Sequence, residues 1–529
     1  MNTIRSILGR QKDVAPSIEE ILKTRTKEYH SWSRSEYPYR ILSSLFVVLI
    51  VAGGGITAYQ KTITTYRAAF PPLPPNITEL SLKVTLSSSS PSLSPLVSSM
   101  QSFLSTSLRN ASLPPSINVD WTVDTVESRP VSSLTNDKSS SSSLEFFIAF
   151  VPSSEWDHFS ATSVLLTKGK WALVQVRRGE DEEKLKGRVE HLLLEVLVGV
   201  PHLDIIDRRD RRERLQPWQV AALPQDHQKR LVWDSRALSS EYLLRVIHLH
   251  SSPPLSSSSS PHLLPSLRHF AKRVDDMTSI EVRSENVYDL ELTPFLEEDV
   301  QGRQTLTNAN VQSLLKQIDS HLGPVLSVHP QLRIVVIHSS TPITILDQEG
   351  EDAPEGVAVA DWGGIVVEGE RTTESALGVL RILIGVDGDL PAGWSRIPCP
   401  LSEWELSRLR LRVLLDSTLR TKHALNALSR MLADIDNLEF SPSLSSRVSS
   451  SLSLLSSAFS SPSSPSLPLI RRARKAAESS LFDESLLSLL YFPTEQRFSI
   501  LLPLLCLYLS PALSLVPRLF HYLLYPTAV

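Results

Sequence analysis

With 529 residues, 41% of them hydrophobic, the chain can bury more than one core, since domains run roughly 100 to 200 residues. A formal net charge of −4 and a pI near 6.4 exclude a polyanion-binding surface, which needs a concentrated excess of Lys and Arg, so nucleic acid is not an expected partner. Two cysteines, Cys399 and Cys506, exclude a disulfide-stapled scaffold.

Residues 1–40 carry Arg5, Arg10, Lys12, Lys23, Arg25, Lys27, Arg34 and Arg40. The run that follows, Ile41 to Tyr59, is uncharged and long enough to cross roughly 30 Å of hydrocarbon as a helix. A cleaved signal peptide would lie nearer the start and end in a small-residue site, and neither holds here. A second run, Phe498 to Pro517, lies between Arg497 and Arg518 and contains Pro503 and Pro511. Prolines free backbone carbonyls, which in a bilayer only neighbouring helices or hydroxyls can satisfy. The basic flank before the first run, against only Lys61 and Arg67 soon after it, predicts a cytosolic N-terminus. Two spans then place residues 60–497 in a lumen and return 518–529 to the cytosol. The acceptor sequons at Asn76 and Asn110 agree with that placement and are the expected glycosylation sites.

Between the spans the pattern is mixed. Alternation predicts strands over Leu80–Leu86, Ile117–Val126, Trp171–Val176 and Leu332–His338. Helical spacing predicts helices over Glu182–Val198, His262–Val274, Val311–Leu322 and Thr373–Ile384, the third capped by Asn308 or Asn310. Residues 60–399 therefore read as a mixed α/β domain. Residues 400–497 read as helical: Ser402 and Glu405 have capping-box spacing, and Leu406, Leu409, Val413, Leu425, Leu428, Leu432 and Ile435 recur at helical spacing. That helix is expected to pack on its own domain, because sustained heptads are absent. A further helix is expected from about Leu467 to Leu490. The Ser-rich stretches 87–107, 139–143, 251–260 and 441–466 read as loops or linkers, except where Leu interleaves the Ser over Leu444–Leu455.

No catalytic, cofactor or metal site emerges. Cys399 lies between Pro398 and Pro400 without a local histidine, and a nucleophilic thiolate needs a base and an electropositive setting. His248 and His250 alternate on an apparent strand, so both can share one face, but no third ligand accompanies them; they read as a structural pair. The motifs of zinc peptidases, nucleophile-elbow hydrolases and phosphate-binding loops are absent. The run Arg208 to Arg214 mixes both signs and reads as a solvated face, with contact to a headgroup phosphate or an acidic neighbour as the sharper alternative. Gly53 to Gly55 would permit close helix approach inside the first span.

Several motifs carry a resemblance. Lys61-Thr62-Ile63-Thr64-Thr65-Tyr66-Arg67-Ala68 with Pro71-Pro72 follows the first span, and Leu166-Thr167-Lys168-Gly169-Lys170-Trp171 comes next. Asp361-Trp362-Gly363-Gly364 and Trp404-Glu405 keep the order. Ala477 to Glu484 then leads through Leu490-Tyr491-Phe492-Pro493 into the second span. In content and order this resembles the PIG-S family, the S subunit of glycosylphosphatidylinositol (GPI) transamidase. The resemblance implies a non-catalytic subunit of an endoplasmic-reticulum membrane complex that attaches GPI anchors to precursor proteins. Its implied partners are the membrane, the other subunits, including a catalytic cysteine-protease-like one, and within reach the precursor protein and the GPI lipid. The competing reading is an independent lumenal hydrolase anchored at both ends.

Overall fold

The structure, a computed structural model, describes residues 79–110, 118–136, 144–156, 162–204, 239–250, 261–288, 290–298, 302–322, 329–339, 341–346, 356–359, 362–386, 390–435, 440–462 and 464–484, with 19–27, 68–72 and scattered single positions elsewhere. The chain forms two compact units. The larger comprises Pro71–Leu428 and Ser446–Leu481, the smaller Met1–Phe70, Ser429–Ser445 and Phe482–Val529.

The larger unit begins with β1 (Glu79–Ser88), α1 (Ser94–Asn110), β2 (Asn118–Thr125), α2 (Val131–Asn136), β3 (Glu145–Pro152), β4 (Val164–Leu166), β5 (Trp171–Val176) and α3 (Glu182–His191), which continues as wider turns to Val198. The strands run in the order β4-β5-β3-β1-β2, parallel except for β4. A parallel sheet covered on both faces needs apolar residues on both, hence the near-continuous runs in β3 and β5. Leu80, Leu82, Val84 and Leu86 face a core shared with α1 and α3, while Ala149, Val151, Trp171 and Leu173 face Leu134 of α2.

Helix α1 corrects the loop reading of 87–107. Val97, Met100, Leu104 and Leu108 make a buried helical stripe. The serines between them turn hydroxyls back onto the preceding turn, as Ser98 does to the Ser94 carbonyl at 3.2 Å and Ser102 to that of Ser99 at 2.8 Å. A Ser-rich composition thus hid an amphipathic helix. Stretches 139–143 and 251–260 lie outside the described residues.

A second sheet repeats the plan. It is built by β6 (Glu241–His250), α4 (Leu263–Arg273), β7 (Ser279–Val287), β8 (Glu297–Glu298), β9 (Gln304–Leu306), α5 (Asn308–Leu322), β10 (Gln331–His338), β11 (Ile343–Leu346), β12 (Asp352–Ala353), β13 (Gly356–Val359), β14 (Gly363–Val367) and α6 (Thr372–Ile384). The order is β13-β14-β10-β6-β7, with only β13 antiparallel; β8, β9, β11 and β12 form a small separate sheet. In each large sheet the first parallel strand lies between the second and the third, the fourth parallel strand (β5 or β14) follows the third, and an antiparallel partner (β4 or β13) flanks the fourth. Helices α4 and α6 cover one face of the second sheet and α5 the other. The cap of α5 differs from expectation: the helix begins after Thr307, whose carbonyl receives the Val311 amide at 2.8 Å, and Asn310 gives its amide to Glu297 at 2.8 Å.

Strand β15 (Trp394–Arg396) returns to pair with β4, and α7 (Glu403–Asp434), α8 (Pro442–Ala458) and α9 (Leu467–Leu481) follow. The capping box is present in its return half, where the Ser402 amide donates to Glu405 at 2.8 Å. Helix α7 serves both sheets. Trp404, Leu411, Leu414 and Leu415 enter the first core, while Leu406, Leu409 and Val413 enter the second. Its arginines fix the same two partners. The turns after α3 end at Gly199 and α6 ends at Gly385, with φ of 76° and 77°, the left-handed caps that favour glycine. Arg408 donates to the Val196 carbonyl at 3.3 Å and to that of Val386, and Arg412 donates to Gly385 at 3.2 Å. Cations there match the negative ends of both helix dipoles.

In the smaller unit the Ala68 amide bonds the Phe440 carbonyl at 2.9 Å, and the rings of Phe70 and Phe440 lie 5.7 Å apart. Among the described residues no helix is long and apolar enough to cross a membrane. Of the run 41–59 ten of nineteen positions are described, each of them helical, and of 498–517 only 499, 503, 506 and 517; Asn76 and 208–214 lie wholly outside the described residues.

Candidate functional site at the carboxyl edge of the second sheet

Side chains alternate across a strand, so the even-numbered residues of β6, β7, β10 and β14 share one face. On that face Leu244, Val246, Ile280, Ile334, Val336 and Val366 lie in the core under α4 and α6. The same parity carried to the strand ends replaces apolar residues with polar rings. His250 pairs in register with His338, and the next row outward from the pairs Leu249–Val287 and Ile337–Val367 brings Tyr288 and Glu368 alongside. His248 and Asn286, paired with each other, lie one row inward.

These groups form one connected array. His338 Nδ1 lies 2.7 Å from a Glu368 oxygen, and His338 Nε2 lies 2.9 Å from His248 Nδ1. His338 thus shares one hydrogen bond with the Glu368 carboxyl through Nδ1 and another with His248 Nδ1 through Nε2. His250 Nε2 lies 3.2 Å from Asn286 Oδ1 and donates to it. The rings also stack: Tyr288 on His250 at 4.7 Å and 12°, His250 on His338 at 4.6 Å and 12°, and His248 on His338 at 5.1 Å. His248 is held neutral, its pKa pushed down to about 4 by burial first and then by His338 and His250.

Glu368 and His248 occupy opposite nitrogens of His338, so the three do not converge on one point as metal ligands must. The location has meaning of its own. In doubly wound sheets the crevice at the carboxyl ends opens where the chain changes direction across the sheet; here that is between β6 and β10, the two strands that carry the histidines. The first sheet serves as an internal comparison. Its corresponding strands end in Ser88, Pro152 and Val176, so this fold does not itself require rings at that edge.

The sequence singled out His248 and His250, and the structure places both on one face as expected. It missed His338, Tyr288 and Glu368. The available signal was that two apolar strands, LLRVIHLH and LRIVVIH, each end in histidine.

Cys399 lies elsewhere, half-buried and free. Burial, then the Glu405 carboxylate, push its thiol up, the reverse of what a nucleophile needs. Glu405 is 1% exposed and forms a two-pronged pair with Arg381 at 2.6 and 3.2 Å. Arg381 also donates to the Pro400 carbonyl at 2.8 Å, which fixes the loop containing the cysteine. Asn110 is the last residue of α1.

Comparison with known proteins decides the family. Residues 45–516 match the PIG-S family, described as phosphatidylinositol-glycan biosynthesis class S protein. The chain belongs to this family. Among similar relatives, the GPI-anchor transamidase component PIGS of Mus musculus is 25% identical over 257 residues, covering 41% of this chain and 45% of that protein. The human protein of the same name is 25% identical over 247 residues, 39% of this chain and 43% of that one. The bovine protein is 26% identical over 243 residues, 40% and 43%. This PIG-S family member thus aligns with less than half the length of each of these relatives.

Proposed function

We propose that the chain is a non-catalytic subunit of the GPI transamidase complex, which attaches GPI anchors to precursor proteins in the endoplasmic reticulum. It crosses the membrane at 41–59 and 498–517, with its N-terminus cytosolic, its folded part lumenal, and Asn76 and Asn110 glycosylated. It works as a scaffold that organises the other subunits, the cysteine-protease-like catalytic one among them, and through them the precursor and the GPI lipid. The observation that carries this reading is the family match over 45–516, which takes in most of both apolar runs, joined to the printed name of the relatives. The protonated, half-buried Cys399 thiol supports a subunit without its own nucleophile.

The test is purification of the tagged full-length chain in mild detergent, with mass spectrometry of what accompanies it. The expected result is co-purification of the other transamidase subunits and loss of GPI attachment when the chain is depleted. A chain that runs alone and hydrolyses ester or peptide substrates would overturn the proposal.

A further inference from the structure

We propose that the ring row at the carboxyl edge of the second sheet is a saccharide-binding site, with Tyr288 and His250 as platform and hydrogen-bonding edge. Tyr288 is 52% exposed although His250 stacks flat against one face, which leaves the other face to meet a ligand. A flat ring face of this kind takes the apolar C–H side of a sugar, while polar groups at its rim fix orientation. The rim is suited to hydroxyls. His250 gives its Nε2 proton to Asn286, its Nδ1 edge can meet a hydroxyl, and the Tyr288 phenol both donates and accepts.

Charge selects among ring ligands. Glu368 is engaged by His338, and Arg245, on β6, is engaged by Glu285 at 3.1 and 2.5 Å. Glu370 and Arg371, one of each sign, lie just beyond the row. A nucleotide, which stacks equally well, would bring phosphate toward the Glu368 carboxylate; a neutral sugar brings no charge. The first sheet, with Ser88, Thr125, Pro152 and Val176 at its strand ends and Val126 where Tyr288 stands in the second, has the same crevice plan without the platform. The rings are therefore an addition to the fold and not part of its construction. The site does not depend on the assembly proposed above: a chain that fails to co-purify with transamidase subunits would still bind sugar.

The experiment uses the full-length chain in lipid nanodiscs, treated with endoglycosidase H to remove its own glycans. The probes are α-1,2-mannobiose, a lipid-free GPI core glycan, a high-mannose glycopeptide and uridine monophosphate, followed by saturation-transfer NMR and titration. Saturation of mannobiose is expected, with affinity falling about fivefold or more in Tyr288→Ala and in His250→Ala and by less in Tyr288→Phe, which keeps the stacked ring and loses only the phenol's hydrogen bonds. Preference for the GPI glycan or for the glycopeptide then tells whether the natural saccharide is carried by a lipid or a protein. Thermal melts of each variant keep a folding defect separate from lost binding. No saturation by any saccharide, binding unchanged in a folded Tyr288→Ala, or binding of uridine monophosphate alone overturns the proposal.

Discussion

His248 shows how one buried side chain ties stability to pH. Its pKa falls from 6.5 unfolded to about 4 folded, so between these values the unfolded chain binds more protons. Its contribution is fully present above pH 6.5 and is lost as pH falls toward 4. His202, pushed down to about 4 by burial and then by Arg412 and Arg408, acts in the same window and direction. His248 contributes at most roughly 3 kcal/mol across that window, and the partly exposed His202 less, because solvent screens it. The apparent Tm of the larger folded unit should therefore drop between pH 6.5 and 4.5, and His248→Gln should flatten that slope even if it lowers Tm overall. An unchanged slope would mean that His248 ionises normally in the folded chain. Cys399 gives a second check: with its thiol pushed up, it should react with thiol reagents at neutral pH more slowly than a simple exposed thiol, and Cys399→Ser should leave GPI attachment near normal. Loss of attachment in an assembled Cys399→Ser complex would make the cysteine a participant. The limit of legibility at this scale is plain from the ring row. The alternation of His248 and His250 is local and could be read. Their partners are Tyr288, His338 and Glu368, which come from three other strands and meet only through pairing that no short window contains.

Elements with a strong internal period were readable, and those whose composition masks the period were not. The strands at Trp171–Val176 and Gln331–His338 and the helices α4 and α6 lie where spacing predicted them. Helix α1 did not, because serine suggests a linker while four widely spaced apolar residues decide the matter. Leu104→Ala should cost about 2–5 kcal/mol, as for a filled core site, and Ser102→Pro about 3 kcal/mol through a broken helix. Chemical denaturation reads both; near-silent changes would restore the linker reading. The junction between α6 and α7 makes a sharper case. Removing Arg381 leaves the Glu405 carboxylate, 1% exposed, without its two-pronged partner, so Arg381→Ala should cost about 3–5 kcal/mol. Replacing both, with Arg381→Met and Glu405→Leu, should recover most of that loss. A double variant as unstable as the single one would show that the pair does more than neutralise itself.

At the scale of the whole molecule, the α/β character and the helical C-terminal part followed from patterning, whereas the repetition of one strand plan in two sheets did not. The two copies share no spacing obvious in the sequence, since their loops and added strands differ. The membrane arrangement is tested by exchange: replacing 498–517 with an uninterrupted poly-Leu span should preserve insertion yet weaken association with partner subunits. In a bilayer, as proposed, Pro503 and Pro511 would free carbonyls that neighbouring helices or hydroxyls must satisfy. Full assembly and attachment with poly-Leu would reduce the segment to a tether. Helix α7 bears on how the protein is made. The first core is closed by Trp404, Leu411, Leu414, Ile470 and Ala473, which leave the ribosome only after the whole second sheet has been synthesised. At roughly 5–20 residues per second, strands β1 to β5 wait tens of seconds with an open flank. During that interval the open flank exposes apolar surface, and any stop codon between the second sheet and α7 leaves both halves unfinished rather than one half folded.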